Sequence, residues 1–226
     1  MNKQRAPEWA FDLYPQLDTD VVGHPLLAFN EVGSTNDVAK QMALNNAPDG
    51  LAIVARSQTG GRGRRGRTWA CFPNRAVYLS VLLRPPALPP EDVSWLGILG
   101  GLAAANALQD VGVKNLRIKW PNDVLVNRKK IGGVLVEPRL GEGKVAFAVI
   151  GIGINVRQDA TDWPEDLCEI ATSCAIEGVE VTCDTVICRA LHWIDRWYAA
   201  LLNDQHPTLL NDWARWSGSE EMPVLD

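Results

Sequence analysis

Positions 60 to 69 read GGRGRRGRTW and place four arginines and four glycines within ten residues. Glycine keeps a loop flexible, and the planar arginine guanidinium stays charged and binds phosphate or carboxylate through paired hydrogen bonds. The whole chain is acidic, with 22 Lys and Arg against 27 Asp and Glu, so the positive charge is local. The segment therefore predicts a mobile loop that binds an anionic ligand and becomes ordered around it.

Three other interpretations of this segment must be weighed. Residues 61–66 satisfy the pattern G-x-G-x-x-G of dinucleotide-binding folds, but residues 68–74 (TWACFPN) indicate a turn into a strand rather than the helix which that pattern must open. An Arg/Gly segment in which Trp69 stacks on a base would bind nucleic acid, but a net charge of −5 argues against that as the main function. A solvated loop is the third alternative.

Other catalytic signatures are missing from the sequence. The five cysteines form no C-x-x-C pair, and the three histidines have neither H-E-x-x-H spacing nor a G-x-S-x-G partner. We therefore expect reduced thiols, no zinc cluster and no hydrolase-type nucleophile. The cysteines are Cys71, Cys168, Cys174, Cys183 and Cys188.

Apolar runs on both sides of the arginine segment predict the elements that flank it. Residues 51–55 and 77–83 are short apolar runs typical of strands, so the arginines lie on a strand-to-strand connection. Residues 25–29 predict another strand. The polar triplet at 34–36 is placed as a helix N-cap, and that helix should end near residues 45–46.

The second half of the chain is predicted to contain two helices and four strands. Helices are predicted at 92–111 and 184–203, and strands at 116–120, 124–126, 131–137 and 144–156, with residues 127–130 (NRKK) as a hairpin turn. This order predicts an α+β fold with a mixed, mostly antiparallel sheet flanked by helices.

The longest apolar stretch, residues 96–108, is shorter than the roughly 20 residues that span a bilayer. The N-terminus has no apolar core followed by a cleavage site. We therefore expect a cytoplasmic protein without a membrane partner.

Three further motifs accompany the arginine segment: VGSTN at 32–36, KWPND at 119–123 running on to KIGG at 130–133, and GIGINV at 151–156. In this order and spacing the chain resembles, from about residue 26 to 216, the catalytic domain of biotin protein ligases, also called biotin–[acetyl-CoA-carboxylase] ligases. The resemblance implies a class II aminoacyl-tRNA synthetase-like domain of the biotin/lipoate ligase superfamily.

The reaction implied by this resemblance has two steps. Biotin and ATP form biotinyl-5'-AMP and pyrophosphate, and a lysine of the biotin carboxyl carrier protein of acetyl-CoA carboxylase then displaces AMP. Such chemistry needs positioning and charge neutralisation but no side-chain nucleophile. The implied small molecules are biotin, ATP and Mg²⁺.

The resemblance also assigns residues. Lys130 and Arg64 are implied as catalytic, and Asp123 as a Mg²⁺ ligand. The residues implied to bind biotin are Ser34, Thr35, Asn36, Gln58, Arg62, Gly63, Arg64 and Lys130. Those implied to bind the nucleotide are Arg65, Arg67, Trp69, Lys119, Asn122, Ile154 and Asn155, with Gly153 beside them.

The resemblance also implies a domain organisation. Residues 1–24 are expected to form an N-terminal arm and residues 25–218 the catalytic domain, while 219–226 begin a C-terminal cap that this chain lacks. Because only an arm precedes the first strand, no DNA binding is expected. A homodimer is the expected assembly.

Two rival functions stay open at this point. A lipoate or octanoate ligase or transferase would use a similar sheet and a similarly placed lysine. A non-catalytic biotin-binding module would bind biotin without turning over ATP.

Overall fold

The structure, a computed structural model, describes residues 6–217. A seven-stranded sheet forms its centre, in the order β1-β2-β3-β7-β6-β5-β4. Strands β1 and β2 pair in parallel and all other neighbours pair antiparallel. The strands are β1 (Leu26–Phe29), β2 (Ala52–Ala55), β3 (Ala76–Leu83), β4 (Leu116–Lys119), β5 (Asp123–Val126), β6 (Lys129–Gly141) and β7 (Lys144–Asn155).

Within residues 6–217, four α-helices cover the two faces of this sheet. They are α1 (Thr35–Leu44), α2 (Ser94–Asp110), α3 (Cys183–Leu202) and α4 (His206–Ser217). Helices α2, α3 and α4 enclose the main hydrophobic core on one face, whereas α1 covers a smaller cluster on the other face. The fold is therefore the predicted α+β arrangement with a mixed, mostly antiparallel sheet.

The side-chain alternation along β7 explains why the α1 face is only partly covered. Ile150, Ile152 and Ile154 point into the main core, while Phe147 and Val149 pack under α1. Because successive side chains of a strand point to opposite faces, the α1 face continues with glycine at 151 and 153. Phe147 and Val149 thus support α1, whereas Gly151 and Gly153 leave space beside it.

Most elements predicted from the sequence are confirmed, but both predicted ends of β6 are wrong and helix α4 was not predicted. The turn predicted at residues 127–130 consists of Asn127 and Arg128, which have φ values of 48° and 73°. A two-residue hairpin turn needs positive φ at both positions, so Lys129 and Lys130 belong to β6. Lys130 is consequently held in a strand and is not a solvated turn residue.

The segment before β1 packs against the rest of the fold. Leu13 and Val22 are fully buried in the main core. The carboxylate of Asp195 on α3 accepts hydrogen bonds from the backbone N–H groups of Asp20, Val21 and Val22 at 2.7 to 2.9 Å. The expected division into an arm and a catalytic domain stays a prediction, and residues 219–226 lie outside the described part of the chain.

No helix within residues 6–217 is long and apolar enough to cross a membrane. All five cysteines are free thiols, as the sequence predicted. Burial raises the pKa of the Cys174 thiol to about 12 and that of Cys183 to about 11.

These thiols should therefore differ in reactivity, because the thiolate is the nucleophile. At pH 8 we expect Cys174 to be alkylated by iodoacetamide at least about a thousandfold more slowly than the partly exposed Cys168, in the native protein. Mass spectrometry of labelled peptides measures both rates. All five cysteines should react alike in urea, and similar native rates would contradict the burial of Cys174.

Candidate ligand-binding site

A cavity of about 390 Å³ lies over the glycine-bearing part of the sheet. Its walls are the start of α1, the arginine loop (residues 60–69), the turn before β5 and residues 163–171. Its floor comes from β3, β6 and β7, where Gly153 pairs with Tyr78 on one side and Gly133 on the other. A ligand here would be enclosed by elements that are far apart in the sequence.

One end of the cavity is a cluster of polar side chains. Gln58 Oε1 accepts from the backbone N–H of Thr35 at 2.7 Å and from its hydroxyl at 3.0 Å. The Ser80 hydroxyl donates to Asn36 Oδ1 at 2.5 Å and lies 2.7 Å from Thr35 Oγ1. Ser34 occupies the N-cap position of α1, but its side chain makes no capping hydrogen bond. Its hydroxyl is therefore available to a ligand.

Two carboxylates lie behind this polar end. Asn36 Nδ2 donates to Glu137 Oε2 at 2.7 Å, and Lys40 Nζ donates to Glu137 Oε1 at 2.7 Å. Asp37 pairs with Lys40 at 3.0 Å and with Arg62 through two contacts of 2.6 Å. The hydrogen bond from Arg62 is the main cause that lowers the pKa of Asp37 from 3.8 to about 2. Both acids therefore help to fix residues that line the cavity.

The arginine loop is a small, locally hydrogen-bonded hairpin. Arg62 and Thr68 form an antiparallel bridge, and the Gly63 N–H donates to the Arg67 carbonyl at 2.7 Å. Arg64 Nη1 donates to Asn122 Oδ1 at 3.4 Å. Within residues 6–217, Arg65 and Arg67 form no ion pair and are exposed. These two guanidiniums are free to bind an anion.

The indole ring of Trp69 covers the glycines of the floor. A Cβ atom at Gly153 would approach Trp69 Cε2 to 2.6 Å, and one at Gly133 would approach Trp69 Cζ3 to 3.1 Å. Lys130 Nζ lies 5.3 Å from the ring centroid, within cation–π range. Any side chain larger than hydrogen at Gly153 would therefore displace the indole.

Lys130 is held by contacts with Asp123 and with the backbone of Ile170 and Thr172. Its Nζ donates to Asp123 Oδ1 at 2.6 Å, and the same oxygen accepts from Asn122 Nδ2 at 3.0 Å. Its backbone exchanges hydrogen bonds with the Ile170 carbonyl and the Thr172 N–H. The ammonium group is thus directed into the cavity by a rigid strand.

The donor set offers little for a metal ion on its own. Residues 6–217 contain no group of three or more His, Cys, Asp or Glu side chains that could hold one. Asp123 is the carboxylate that lines the cavity, and one of its oxygens already accepts from Lys130. Mg²⁺ is often held by one or two carboxylates together with substrate phosphates. Asp123 could supply the single carboxylate of such a site, with the phosphates as the other ligands.

The far end of the cavity is more apolar. Trp163 is buried, and its ring packs edge-on against Phe72 with centroids 4.9 Å apart. Leu167 and Ile170 add apolar surface beside it. Asn155 is buried and donates to the Thr172 carbonyl at 3.0 Å, which ties this end to β7. This apolar surface suits an aromatic ring.

Most residues singled out from the sequence line this one cavity, and two do not. Lys119 is exposed at the end of β4 and is absent from the lining. Ile154 is fully buried in the main core because it points to the opposite face of β7 from Gly153, so its side chain cannot reach a ligand. The lining includes Ser34, Thr35, Asn36, Gln58, Arg62, Gly63, Arg64, Arg65, Arg67, Trp69, Asn122, Asp123, Lys130, Gly153 and Asn155.

Several residues of the site were not identified from the sequence. Ser80 and Glu137 read as ordinary members of apolar strands, and only the sheet register brings them beside Asn36. Asp37 follows directly after the STN triplet, but it lies 25 residues before Arg62, and nothing in the sequence specified their pairing. Trp163 carried no signal.

Fold and cavity together define a small-molecule-binding domain that places a polar pocket, a cationic loop and an aromatic platform along one glycine-floored sheet. Comparison with known proteins narrows this class. A model of the biotin/lipoate A/B protein ligase family matches residues 28–155, which is more than half of the chain. The chain belongs to this family.

Similar proteins share this region. The bifunctional ligase/repressor BirA of Bacillus subtilis is 40% identical over 157 residues, which cover 70% of this chain and 48% of that protein. The biotin–[acetyl-CoA-carboxylase] ligase of Mycobacterium tuberculosis is 36% identical over 153 residues, which cover 66% and 54% respectively. The chain thus spans about half the length of these relatives.

A solved structure of the biotin protein ligase from Aquifex aeolicus in complex with biotin and ATP superposes with a TM-score of 0.72 at 30% identity, covering 85% of this chain and 78% of that one. The biotin protein ligase from Leishmania major in complex with biotinyl-5-AMP gives a TM-score of 0.62 at 29% identity, covering 81% and 80%.

The close fit of Asn36 over the sheet can be tested by adding one methyl group. A Cβ atom at Gly151 would overlap the Asn36 amide oxygen, so Gly151→Ala must displace a buried hydrogen-bonded side chain. We expect the free energy of unfolding in urea to fall by about 1–3 kcal/mol. Gly141→Ala is the matched control, because its Cβ meets only Ala146 Cβ at 3.4 Å. Equal stabilities of the two variants would contradict the arrangement of Asn36.

Proposed function

We propose that this protein is a biotin protein ligase, which activates biotin with ATP to biotinyl-5'-AMP and transfers the biotinyl group to a lysine of a biotin carboxyl carrier protein. The observation that carries the proposal is one cavity that joins a polar cluster, an arginine loop, a strand-held lysine and an aromatic platform. The names of the similar proteins and the biotin and ATP bound to one of them support it.

The polar end matches the chemistry of a cyclic urea. Such a ring offers two N–H donors and one carbonyl acceptor, and it needs partners of both kinds. Ser34 offers a hydroxyl, and Thr35, Asn36 and Gln58 are already fixed by one another and by Ser80. Preorganised polar groups lose little freedom on binding, so this end favours the ureido ring of biotin.

Adenylation requires that two anions approach each other. A carboxylate oxygen of biotin attacks the α-phosphorus of ATP, the new C–O–P linkage forms, and the bond to pyrophosphate breaks. Lys130 and Arg64 both line this cavity and carry positive charge, and they contact the neighbouring residues Asp123 and Asn122. We assign them the role of neutralising the carboxylate and the phosphate while the negative charge builds up between them.

Transfer needs no nucleophile from the enzyme. The amine of the carrier lysine attacks the acyl carbonyl, the bond to phosphate breaks, and AMP leaves with the electron pair. Within the described chain, no cysteine and no histidine lines the cavity. The protein's part is to hold the mixed anhydride and to exclude water from it.

The nucleotide is assigned to the far end. The Trp69 ring and the apolar surface of Trp163 and Leu167 suit an adenine ring, and Arg65 and Arg67 are free to bind phosphate. Asp123 would hold Mg²⁺ that arrives with the phosphates, and such a metal would add further positive charge. Lys119 would have to act from outside the cavity lining.

The remaining assignments rest on this function. We propose a cytoplasmic enzyme whose acceptor is the biotin carboxyl carrier protein of acetyl-CoA carboxylase. We also propose a homodimer, because β1 and β4 leave the two edges of the sheet unpaired within the described chain.

A pyrophosphate-release assay tests the proposal directly. Biotin with ATP should produce pyrophosphate, whereas lipoate and octanoate should not. Turnover with lipoate or octanoate would establish the rival ligase function. Tight biotin binding without pyrophosphate would establish a non-catalytic binding module.

The position of Lys130 gives a prediction for adenylation. Replacing it with alanine should slow pyrophosphate release by at least about a hundredfold, because one preorganised charge is lost where charge develops. The variant should still unfold cooperatively near the wild-type temperature. Lys129→Ala is the matched control, since Lys129 directs its ammonium away, to the Cys168 carbonyl at 3.3 Å. Wild-type turnover by Lys130→Ala would remove Lys130 from the mechanism.

The arginine loop gives a prediction for retention of the intermediate. Arg64→Gly should still form adenylate but should release it about ten- to a hundredfold faster, because one charge-assisted hydrogen bond is lost. Released adenylate reacts with any exposed lysine. Incubation with biotin, ATP and unrelated lysine-rich proteins should therefore label those bystanders far more than the wild-type enzyme does. Labelling confined to the carrier, or no adenylate at all, would show that Arg64 does not retain the intermediate.

A further inference from the structure

The first arginine of the loop is already engaged before any ligand binds. Both terminal nitrogens of Arg62 donate to the two oxygens of Asp37 at 2.6 Å, and Arg62 Nη2 lies 3.7 Å from Glu137. This paired geometry is the strongest form of an arginine–carboxylate contact. The loop is thereby joined to the first turn of α1, which also carries Thr35 and Asn36.

The carboxylate that receives Arg62 is itself fixed in place. Asp37 lies in the first turn of α1, where the helix dipole favours negative charge. Lys40, one turn further along the helix, bridges Asp37 and Glu137 at 3.0 and 2.7 Å. Burial disfavours the charge of Lys40, but its hydrogen bonds to Glu137 and Asp37 outweigh that effect and raise its pKa. The carboxylate of Asp37 is therefore part of a network of four charged side chains, together with Arg62, Lys40 and Glu137.

The other end of Arg62 is fixed through its backbone. Arg62 bridges Thr68 across the loop, and the Trp69 N–H donates to the Gly61 carbonyl at 3.1 Å. A side chain anchored at its guanidinium and at its backbone has little freedom left. The same hydrogen bonds set the position of Trp69 over the floor.

We propose that Asp37 is a positioning residue that holds Arg62, and with it the first half of the arginine loop, at the edge of the cavity before the ligand arrives. The ligand identity rests on the proposed function. The sequence alone predicted a loop that becomes ordered only around its anion, whereas the ion pair supplies an internal anion for one arginine. Arg64, Arg65 and Arg67 then remain for the ligand.

An alternative role for Asp37, in which it competes with the ligand for Arg62, predicts the opposite effect on ligand binding. If Asp37 were a competitor that must release Arg62 before an anionic ligand can bind, removing its charge would tighten ligand binding. If Asp37 positions Arg62, removing its charge loosens the loop and weakens retention of the ligand. The two roles therefore differ in sign.

Limited trypsin digestion of the ligand-free protein tests the positioning without any enzymatic activity. At limiting protease, cleavage after Arg64, Arg65 and Arg67 reports the open population of the loop. Asp37→Asn should raise cleavage at these sites about fivefold, the ratio that corresponds to ~1 kcal/mol for such a pair. Asp37→Glu, which keeps the charge, should restore most of the protection.

Asp212→Asn is the matched control, because it breaks an exposed aspartate–arginine pair, Asp212 to Arg215, on α4. It should leave loop cleavage unchanged. Thermal unfolding of all variants separates loop opening from global loss of stability. Unchanged cleavage in Asp37→Asn would overturn the proposal, and so would cleavage that rises at every site in proportion to lost stability.

A second measurement reads the effect on the ligand. Titration calorimetry with biotin, followed by dissociation of preformed biotinyl-5'-AMP, should show weaker binding and faster release by Asp37→Asn. Tighter binding would show that Asp37 competes with the ligand. If wild-type protein binds neither ligand, the proposed function fails, while the trypsin result still decides the role of Asp37.

Discussion

The packing of the Trp69 ring on the bare backbone of Gly133 and Gly153 is the contact on which the rest of the site depends. It requires that β6 and β7 carry no side chain on the α1 face at those positions, while the opposite face of β7 keeps isoleucines for the main core. Trp69 is the last residue of the arginine loop, so the position of its indole ring on the sheet determines where the arginines lie. The same ring forms one wall for the Lys130 ammonium.

Charge is organised around this floor in two tiers. Arg62, Lys40, Asp37 and Glu137 neutralise one another and hold the polar end in shape. In the second tier, Lys130 has Asp123 as its acidic partner beside the Trp69 ring, and Arg64, Arg65 and Arg67 have no acidic partner within residues 6–217. The first tier, whose side chains are partly exposed, is therefore structural, and the second tier lines the cavity in which the proposed function would place an anhydride between a carboxylate and a phosphate.

The sequence predicted the order of elements up to α3, because apolar runs and turn residues are local signals, but it did not predict α4. It also predicted most of the cavity lining, since the motifs that resemble the family contain those residues. It did not reveal Ser80, Glu137 or Trp163, because their roles arise from strand register and from packing between distant segments. Lys130 was misplaced in a turn, because the positive φ of Arg128 is not visible in its residue type. Ile154 was assigned to the nucleotide although strand alternation turns it into the core.

The two faces of the sheet differ, because one holds the main core and the other holds the cavity. The main core lies between the sheet and α2, α3 and α4, so most apolar burial occurs on the face away from the cavity. The cavity face contributes polar and glycine positions and only a small apolar cluster under α1. Substitutions at Ser34, Leu167 or Ile170 can consequently alter which small molecule fits without changing the packing that keeps the chain folded. Because of this separation, the choice of ligand and the stability of the scaffold can change independently of each other.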